Sequence, residues 1–400
     1  MHIAYITSEF VTEKWRGGLA TYLDNITNIM SKHGHNVTVI TLSEQDGRLR
    51  YGNNVEVVRI MAKEIPSVDE EIRYALALMH NSWRLYNALR QEDKKNRIDI
   101  VQTANYQAVG FFRLWSIPTV VRASSDASLW RNAMKYEFDY KSAVREKKLA
   151  DYLELHCEKR ADAVFAPSRF CADVIKKRSG QDVTIIESPY LWENQEMDES
   201  LYQEKLLGKK YLLFNSTLSR LKGTHVGIEA AEKILEKYGD LYMVYVGYDY
   251  GLSQKEGNSQ KVAGILMRQG KKYGGRVVYL GHVEHKKLFP IVKNALACVL
   301  PSRVDNLPNS CIEAMALGSI VIGTYGASFE QLIHNKENGL LIKRDSPTAL
   351  IKAVDCLMNL TEEERMKMGE YATDTVNRLK PDKIYHELVS FYGKTIEKFK

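Results

Sequence analysis

Residues 1–41 read MHIAYITSEFVTEKWRGGLATYLDNITNIMSKHGHNVTVIT. The apolar run at 3–6 predicts a buried strand, and the loop that follows it contains Gly17 and Gly18. Apolar side chains then recur at helical spacing until the sequence His-Gly-His ends the helix, and the run at 37–41 predicts a second strand. Strand, helix and strand in this order form a βαβ unit, so we expect a parallel sheet.

The same alternation of strands and helices continues along the whole chain. In the first half we predict strands at 55–60, 98–102, 119–122, 163–166 and 184–186, and helices at 72–89, 146–161 and 168–177. In the second half we predict strands at 211–214, 242–246, 277–280, 297–300 and 320–322, and helices at 224–238, 310–317 and through most of 361–400. The pattern is that of two α/β domains in tandem, and a cleft between such domains is a usual place for a ligand.

The length of 400 residues exceeds what one hydrophobic core supports, so two domains are expected. A polar, acidic stretch that follows Ser188-Pro189 has the composition of a linker. We therefore predict a first domain over 1–190, a linker over 191–207 and a second domain over 208–375. The remaining residues, 376–400, are predicted to form a helix that crosses back to the first domain.

Composition and charge exclude several classes of protein. The charged fraction of 26% and the aromatic fraction of 10% argue against disorder, and no apolar run is long enough to cross a membrane. Without a secretory signal at the start, we expect a cytoplasmic protein. The net charge of +6 comes from the second half, where 29 basic residues against 22 acidic ones give +7, whereas the first half carries −1. This excess suits a phosphate-bearing ligand and is too small to indicate nucleic acid.

The five cysteines and ten histidines give no sign of a metal or disulfide framework. Five is an odd number of cysteines, and no pair has the C-x-x-C spacing of a zinc ribbon or a redox motif. We expect buried, reduced thiols. The histidines show no spacing typical of metal ligands, and no Ser-His-Asp or Cys-His arrangement is present.

The segment 301–318, PSRVDNLPNSCIEAMALG, follows a predicted buried strand and enters a helix. Loops at the carboxyl ends of parallel strands bind ligands, and free amides at a helix N-terminus can hold a phosphate. Asn309 or Ser310 is predicted to cap this helix. Asp305 and Glu313 can point into one pocket, where a carboxylate accepts two sugar hydroxyls. An acidic loop with a capping carboxylate and no ligand is the alternative.

The 301–318 segment resembles the E-x7-E region of retaining glycosyltransferases of family 4, which have the GT-B fold. Further matches in the same order extend the resemblance over nearly the whole chain: Gly17-Gly18 with Thr21, residues 33–39 (HGHNVTV), residues 158–168 (EKRADAVFAPS), Arg220-Leu221-Lys222-Gly223, Gly247, Leu280-Gly281, and residues 338–341 (NGLL). The resemblance implies two Rossmann-like, doubly wound domains that face a central cleft.

The resemblance implies a nucleotide-sugar donor, a UDP- or GDP-sugar, in the second domain, and a saccharide or glycan acceptor in the first. Lys222, helped by Arg220, would neutralise the donor pyrophosphate. Glu313 would bind the ribose hydroxyls, and Asp305 would lie near the donor sugar.

Backbone groups at the two glycines and at the start of the 310s helix complete the implied donor site. Gly17 and Gly18 would let the backbone approach the pyrophosphate. Asn309 and Ser310 would offer amides to it. The family retains the anomeric configuration and generally needs neither a bound metal nor a separate cofactor.

Four positions depart from the family pattern. Asp305 replaces the usual Glu, Pro308 stands where a glycine is frequent and has no N–H to donate, Thr217 stands where an Arg is frequent, and Ser124 lies at or near the place of a His. These departures keep two alternatives open: a catalytically inactive GT-B protein that binds nucleotide sugars, and a hydrolysing nucleotide-sugar epimerase.

Two stretches of the first half mix basic with apolar or aromatic residues. Residues 129–136 (LWRNAMKY) could stack on a sugar or lie on a membrane surface, or they form an ordinary solvated helix face. Residues 70–97 alternate basic and apolar groups but also contain opposing acids, which weakens the case for a lipid anchor. We expect at most a weak peripheral contact with a membrane.

Overall fold

The computed structural model describes residues 1–14, 17–64, 71–124, 133, 148–191, 196–252 and 261–400. These residues divide into two compact units. The first holds 1–124 and 148–191 together with Leu379–Lys400, and the second holds Ala133 and 196–378. The chain thus leaves the first unit after residue 191 and returns to it at residue 379.

In the described part of the first unit, eight strands form one sheet. They are β1 (His2–Thr7), β2 (Asn36–Ser43), β3 (Gly47–Arg50), β4 (Val55–Met61), β5 (Ile100–Ala104), β6 (Thr119–Arg122), β7 (Ala163–Ala166) and β8 (Val183–Ile185). Their spatial order is β3-β4-β2-β1-β5-β6-β7-β8. All pairs are parallel except β3 with β4. The exposed edge strand β3 was not predicted, because its sequence GRLR has no apolar run.

Four helices of the first unit connect these strands: α1 (Gly18–Lys32), α2 (Glu71–Lys95), α3 (Lys148–Arg160) and α4 (Arg169–Ser179). The sequence predicted α1, α3 and α4 to within two residues at each end, whereas α2 extends six residues past its predicted end at Leu89. In α4 the local signals explain the bounds, because the Ser168 hydroxyl accepts the Cys171 N–H at 3.2 Å and Gly180 ends the helix with a left-handed φ of 75°. All six residues of β1 are buried in the core.

The second unit begins with a short helix, α5 (Ser200–Lys205), inside the stretch that was predicted to be a linker. The prediction was wrong for 196–207, because this stretch has contacts that fix it to the second unit. Leu206 is fully buried, and the Asp198 N–H donates to the Lys286 carbonyl at 2.9 Å. A polar composition alone therefore did not identify a linker here.

The remaining elements of the second unit follow the α/β alternation. They are β9 (Lys210–Asn215), β10 (Leu218–Ser219), α6 (Thr224–Lys237), β11 (Leu241–Val246), β12 (Asp249–Gly251), α7 (Val262–Lys272), β13 (Val277–Tyr279), α8 (His285–Lys293), β14 (Ala297–Val299), α9 (Asn309–Ala316), β15 (Val321–Thr324), β16 (Leu340–Ile342), α10 (Pro347–Asn359) and α11 (Glu362–Val376). Helix α12 (Pro381–Phe399) ends the chain.

The main sheet of the second unit is entirely parallel, with the order β13-β11-β9-β14-β15-β16. From β9 the chain winds outward to β11 and β13 on one side, and it then crosses to β14 and continues outward on the other side. Neighbouring strands β9 and β14 therefore form a topological switch point, where the loops at the carboxyl ends diverge and leave a crevice for a ligand. In the first unit the corresponding neighbours are β1 and β5.

The C-terminal helix α12 packs on the first unit. Ile384, Leu388 and Tyr392 on one face of it are buried in the core that β1 and α1 also form. The Tyr392 hydroxyl donates to the side-chain oxygen of Gln102 on β5 at 2.5 Å. Spacing of i, i+4 and i+8 puts these three side chains on one stripe of the helix, as expected for a helix that buries a single face.

All five cysteines are free. Cys157, Cys171, Cys298 and Cys311 are buried, whereas Cys356 is half-buried, so the expectation of buried thiols holds for four of the five. Burial raises the pKa of the Cys298 thiol to about 12, which keeps it protonated and unreactive at neutral pH.

Candidate functional site

Two loops meet at the switch point of the second unit: 216–223 after β9, and 300–308 after β14. The Arg303 N–H donates to the Leu221 carbonyl at 2.8 Å, which ties one loop to the other. Gly223 lies at their closest approach with φ at 72°, and a Cβ there would lie 1.9 Å from the Pro301 carbonyl oxygen. Because only glycine fits both the left-handed backbone and the contact, this residue determines how close the two loops come.

The contact between the loops brings together two of the predicted site residues, Lys222 and Asp305. The Lys222 Nζ lies 2.6 Å from Asp305 Oδ2, and the two side chains are only 22% and 14% exposed. The Asp305 Oδ1 accepts the Asn306 N–H at 3.1 Å, and the Lys222 N–H donates to the Ser219 hydroxyl at 3.2 Å. A partly desolvated ammonium and carboxylate thus lie side by side, one able to bind phosphate and the other to accept hydroxyl groups.

Arg220 lies in the same loop as Lys222 and is half-buried. Its Nε is buried and has no hydrogen-bond partner among the described residues. Burial, and then the positive charge of Arg220, lower the pKa of His225, so that this imidazole is neutral at pH 7. The Arg220 guanidinium can therefore bind an anion.

A polar cluster behind Arg220 was not predicted from the sequence. Asp345, in the loop after β16, accepts hydrogen bonds from Arg303 Nε at 3.0 Å and interacts with His225 Nε2 at 3.1 Å. Its backbone has a φ of 51°, which is uncommon for a residue with a side chain. The sequence did contain a signal for this cluster. Arg303 lies in the 301–318 segment, and Asp345 follows a strand that ends at the same edge of the sheet. Their contact joins positions 42 apart in sequence, which local patterns do not show.

Glu313 lies in the second turn of α9. Its side chain is 14% exposed, and burial raises its pKa to about 7. His285 Nδ1, at the start of α8, lies 3.9 Å from Glu313 Oε1. Burial and the neighbouring His282 lower the pKa of His285, so the imidazole gives the carboxyl little positive charge to pair with. Glu313 is thus a buried carboxyl that lacks a strong cationic partner among the described residues.

The start of α9 differs from the prediction. Neither Asn309 nor Ser310 caps this helix, because Asn309 is already its first residue and Pro308, with φ at −68°, occupies the cap position. The Cys311 and Ile312 amides bond back to the Pro308 carbonyl, at 3.0 and 3.2 Å. The Asn309 and Ser310 amides donate to no described group, so the helix end offers two free N–H groups to an anion.

Gly17 and Gly18 belong to the first unit, at the N-terminus of α1. Gly17 occupies the cap position, and the Glu9 carboxyl, which follows β1, is hydrogen-bonded to its backbone N–H. A Cβ on Gly18 would meet open space. The predicted role of these glycines therefore remains a prediction.

The other predicted positions lie in ordinary local environments or outside the described residues. Thr217 follows β9 and is half-buried. Ser124 is tied to the first unit, since its N–H donates to the Asn105 side chain at 3.1 Å and its hydroxyl bonds to Arg122. The aromatic and basic stretch 129–136 lies, apart from Ala133, outside the described residues.

Replacement of Gly223 by alanine tests the contact between the loops. We expect Gly223→Ala to lower the free energy of unfolding by about 3 kcal/mol or more, because it adds left-handed strain to a clash with the Pro301 carbonyl. Gly18→Ala is the matched control, since its Cβ meets nothing within 4 Å. Urea unfolding measures both variants, and equal stability of the two would contradict the geometry.

The raised pKa of Glu313 predicts how stability depends on pH. An unfolded Glu loses its proton near pH 4.5 and the folded one near pH 7, so the folded state binds more protons in between. Stability therefore falls as pH rises from about 4.5 to about 7. We expect Glu313→Gln to remove this contribution, on the order of 3 kcal/mol, from the pH dependence of stability measured by urea unfolding. An unchanged pH dependence in the variant would show that Glu313 ionises normally.

Family models match both units of the chain. A family model for Glycosyltransferase Family 4 matches residues 16–189, and one for Glycosyl transferases group 1 matches 198–375. Spore coat protein SA of Bacillus subtilis (strain 168) is 24% identical over 413 residues, with 98% of this chain and 100% of that protein covered.

Solved structures show the same fold. Sucrose-phosphate synthase from Thermosynechococcus elongatus matches with a TM-score of 0.76 at 17% identity, over 99% of each chain. Anabaena HepE in complex with UDP matches with a TM-score of 0.71 at 15% identity, over 98% of this chain and 100% of that one. Two α/β units, each with a largely parallel sheet, and family models that together span both units place this chain among the family 4 glycosyltransferases of the GT-B fold.

Proposed function

We propose that this protein transfers a hexosyl or pentosyl group, with retention of configuration, from a nucleotide-sugar donor to a hydroxyl group of a saccharide or glycan acceptor. The observation that carries the proposal is the Lys222–Asp305 pair at the β9–β14 switch point. It places a phosphate-binding cation and a hydroxyl-binding carboxylate in contact, and a nucleotide sugar presents both partners on adjacent groups.

The donor pyrophosphate is proposed to bind Lys222, Arg220 and the two free amides at the start of α9. Each group favours an anion: an ammonium, a guanidinium whose Nε has no hydrogen-bond partner in the described part of the chain, and amides at the positive end of a helix. The complex of HepE with UDP supports a nucleoside diphosphate as the ligand of this fold. Since these groups supply positive charge, we propose that no divalent metal is needed.

The hydroxyl groups of the donor are proposed to bind the two carboxylates. Asp305 accepts from the sugar ring once Lys222 has turned to the phosphate, and Glu313 accepts from the ribose. Tyr248 and His282, which follow β11 and β13, stack at 4.1 Å with 14° between their planes. This exposed flat surface suits the nucleobase.

The reaction exchanges one bond at the anomeric carbon of the sugar for another. The bond from this carbon to the phosphate oxygen breaks, and a bond to the acceptor oxygen forms on the same face. The acceptor proton goes to the departing phosphate, and positive charge develops on the ring in between. Lys222 and Arg220 stabilise the negative charge that grows on the leaving diphosphate, which is the main contribution expected of the site.

The acceptor is proposed to bind the first unit at its own switch point, between β1 and β5. Glu9 follows β1, and Tyr106, 43% exposed, follows β5. Gln107 and Ala108, next in the chain, have φ values of 58° and 51°. Such uncommon backbone at a loop that follows a parallel strand is typical of ligand sites. An aromatic ring beside a carboxylate is a common surface for a sugar.

One alternative also has structural support. Pro308 has no N–H and occupies the start of α9, so one backbone contact to the donor is absent there. Together with Asp305, Thr217 and Ser124, this favours a protein that binds nucleotide sugars without transferring them.

Release of nucleoside diphosphate from UDP-, GDP-, ADP- and dTDP-sugars, with no acceptor and with EDTA present, tests the proposal. We expect slow release from one donor, at least about 100-fold slower in Lys222→Ala because the leaving group loses its counter-charge, and abolished in Glu313→Ala. Lys233→Ala, an exposed position on α6, is the matched control and should keep the wild-type rate.

The products of this assay separate the alternatives. A released sugar of unchanged identity supports the transferase, whereas an epimer would support the hydrolysing epimerase. Tight donor binding with no release, also after a panel of saccharide acceptors is added, would favour the inactive binder. Release that is unaffected in Lys222→Ala would contradict the proposed site.

A further inference from the structure

The first unit has no helix that could cross a membrane among its described residues, but it does bury an arginine that has no acidic partner. The described part of the chain buries three arginines: Arg113, Arg122 and Arg303 are 8%, 5% and 8% exposed. Arg113 pairs with Asp162 at 2.6 Å, and Arg303 pairs with Asp345 at 3.0 Å. Arg122 forms no ion pair with the described residues. Because a buried charge is costly unless it is paired, the charge of Arg122 needs an explanation.

The groups around the Arg122 guanidinium are polar but uncharged. It donates to the Ser124 hydroxyl and, at 2.9 Å, to the Ser188 hydroxyl, and it lies 3.7 Å from the centre of the Tyr22 ring. Its Nε is buried and has no hydrogen-bond partner among the described residues. Burial raises the pKa of Tyr22, and it raises the pKa of the Cys171 thiol to about 12, so neither group is negative at pH 7. The face of an aromatic ring compensates a cation less than a carboxylate does.

The guanidinium lies at the edge of the sheet where the acceptor is proposed to bind. Arg122 is the last residue of β6, Ser124 follows it, and Ser188 follows β8, so all three lie at the carboxyl ends of parallel strands. Both serines are half-buried and thus reach the surface. The Ser124 N–H donates to the Asn105 side chain at 3.1 Å, and Asn105 precedes Tyr106 of the proposed acceptor surface. Burial lowers the pKa of the guanidinium but leaves it charged at pH 7.

We propose that Arg122, together with the Ser124 and Ser188 hydroxyls, binds an anionic group of the acceptor, a phosphate or a carboxylate on the saccharide. A planar guanidinium offers two parallel N–H groups to such an anion, and the serine hydroxyls can turn to donate to it as well. The bound anion supplies the negative charge that the first unit lacks at this point. The anion site follows from the buried charge, whereas its assignment to the acceptor rests on the proposed function. A neutral saccharide would leave Arg122 uncompensated, so the site selects charged acceptors.

Thermal unfolding with and without phosphate separates an anion site from a structural arginine. In chloride buffer we expect Arg122→Met to be at least as stable as the wild type, because it removes a buried charge that has no partner. Inorganic phosphate at constant ionic strength should raise the melting temperature of the wild type, and that of Arg122→Met about half as much, since only the donor site then binds it. Arg113→Met is the matched control. It leaves Asp162 unpaired, so it should be less stable in both buffers and keep the full response to phosphate.

Calorimetric titration with charged saccharides tests the assignment to the acceptor. Lys222→Ala serves as the background, because it weakens phosphate binding in the donor site. From a panel of hexose phosphates and hexuronic acids, we expect at least one to bind about tenfold more tightly than its neutral hexose and than inorganic phosphate. Adding Arg122→Met should weaken that binding about tenfold. Adding Arg122→Lys, which keeps the charge but loses the paired N–H groups, should weaken it less.

The possible outcomes separate this proposal from the proposed function. If Arg122→Met is less stable than the wild type by the same amount with and without phosphate, Arg122 is a structural residue and the proposal is wrong. Binding of all ligands that is unchanged by Arg122→Met would overturn it as well. Inorganic phosphate that binds as tightly as every saccharide would overturn the assignment to the acceptor. These measurements do not depend on sugar transfer, whereas failure of the release assay counts against the proposed function and leaves the anion site intact.

Discussion

The close approach of two loops at Gly223 is the constraint on which the site depends. The parallel order of the second sheet makes β9 and β14 neighbours, and the left-handed backbone of Gly223 lets the loop after β9 touch the Pro301 carbonyl after β14. The hydrogen bond from the Arg303 N–H to the Leu221 carbonyl fixes the same relative position of the two loops. Without this contact, Lys222 and Asp305, which are 83 positions apart in sequence, would have no reason to meet.

The pairing of Lys222 with Asp305 has a chemical consequence. The ammonium of Lys222 and the carboxylate of Asp305 neutralise each other, which offsets part of the free-energy cost of burying both charges. A ligand with phosphate next to hydroxyl groups gives each of them a new partner in the same step. A ligand with phosphate alone must separate the pair and leave the carboxylate facing the anion. Under the proposed function, the pair would thus favour a nucleotide sugar over the nucleoside diphosphate that remains after transfer.

The sequence predicted what depends on local pattern. Apolar runs and helical spacing predicted most strands and helices, because those elements bury their side chains. The motif order put forward Lys222, Asp305 and Glu313 as site residues, and the structure brings the first two into contact. The sequence missed the edge strand β3, which buries little, and the cluster of His225, Arg303 and Asp345, which forms only when distant loops meet. The prediction for the cap of α9 was wrong. Both Pro308 and Asn309 suit a helix start, and the helix begins at Asn309, one residue earlier than it would if Asn309 were the cap.

The most direct test of the account is calorimetric titration of wild type and Asp305→Asn with the nucleoside diphosphate, and then with the nucleotide sugar, that the release assay identifies. If Lys222 leaves Asp305 for the phosphate, the variant binds the diphosphate more tightly, by about tenfold, and gains less from the added sugar than the wild type does. Unchanged or weaker binding of the diphosphate by Asp305→Asn would contradict the account, because it would show that the Lys222–Asp305 pair is not what the donor exchanges.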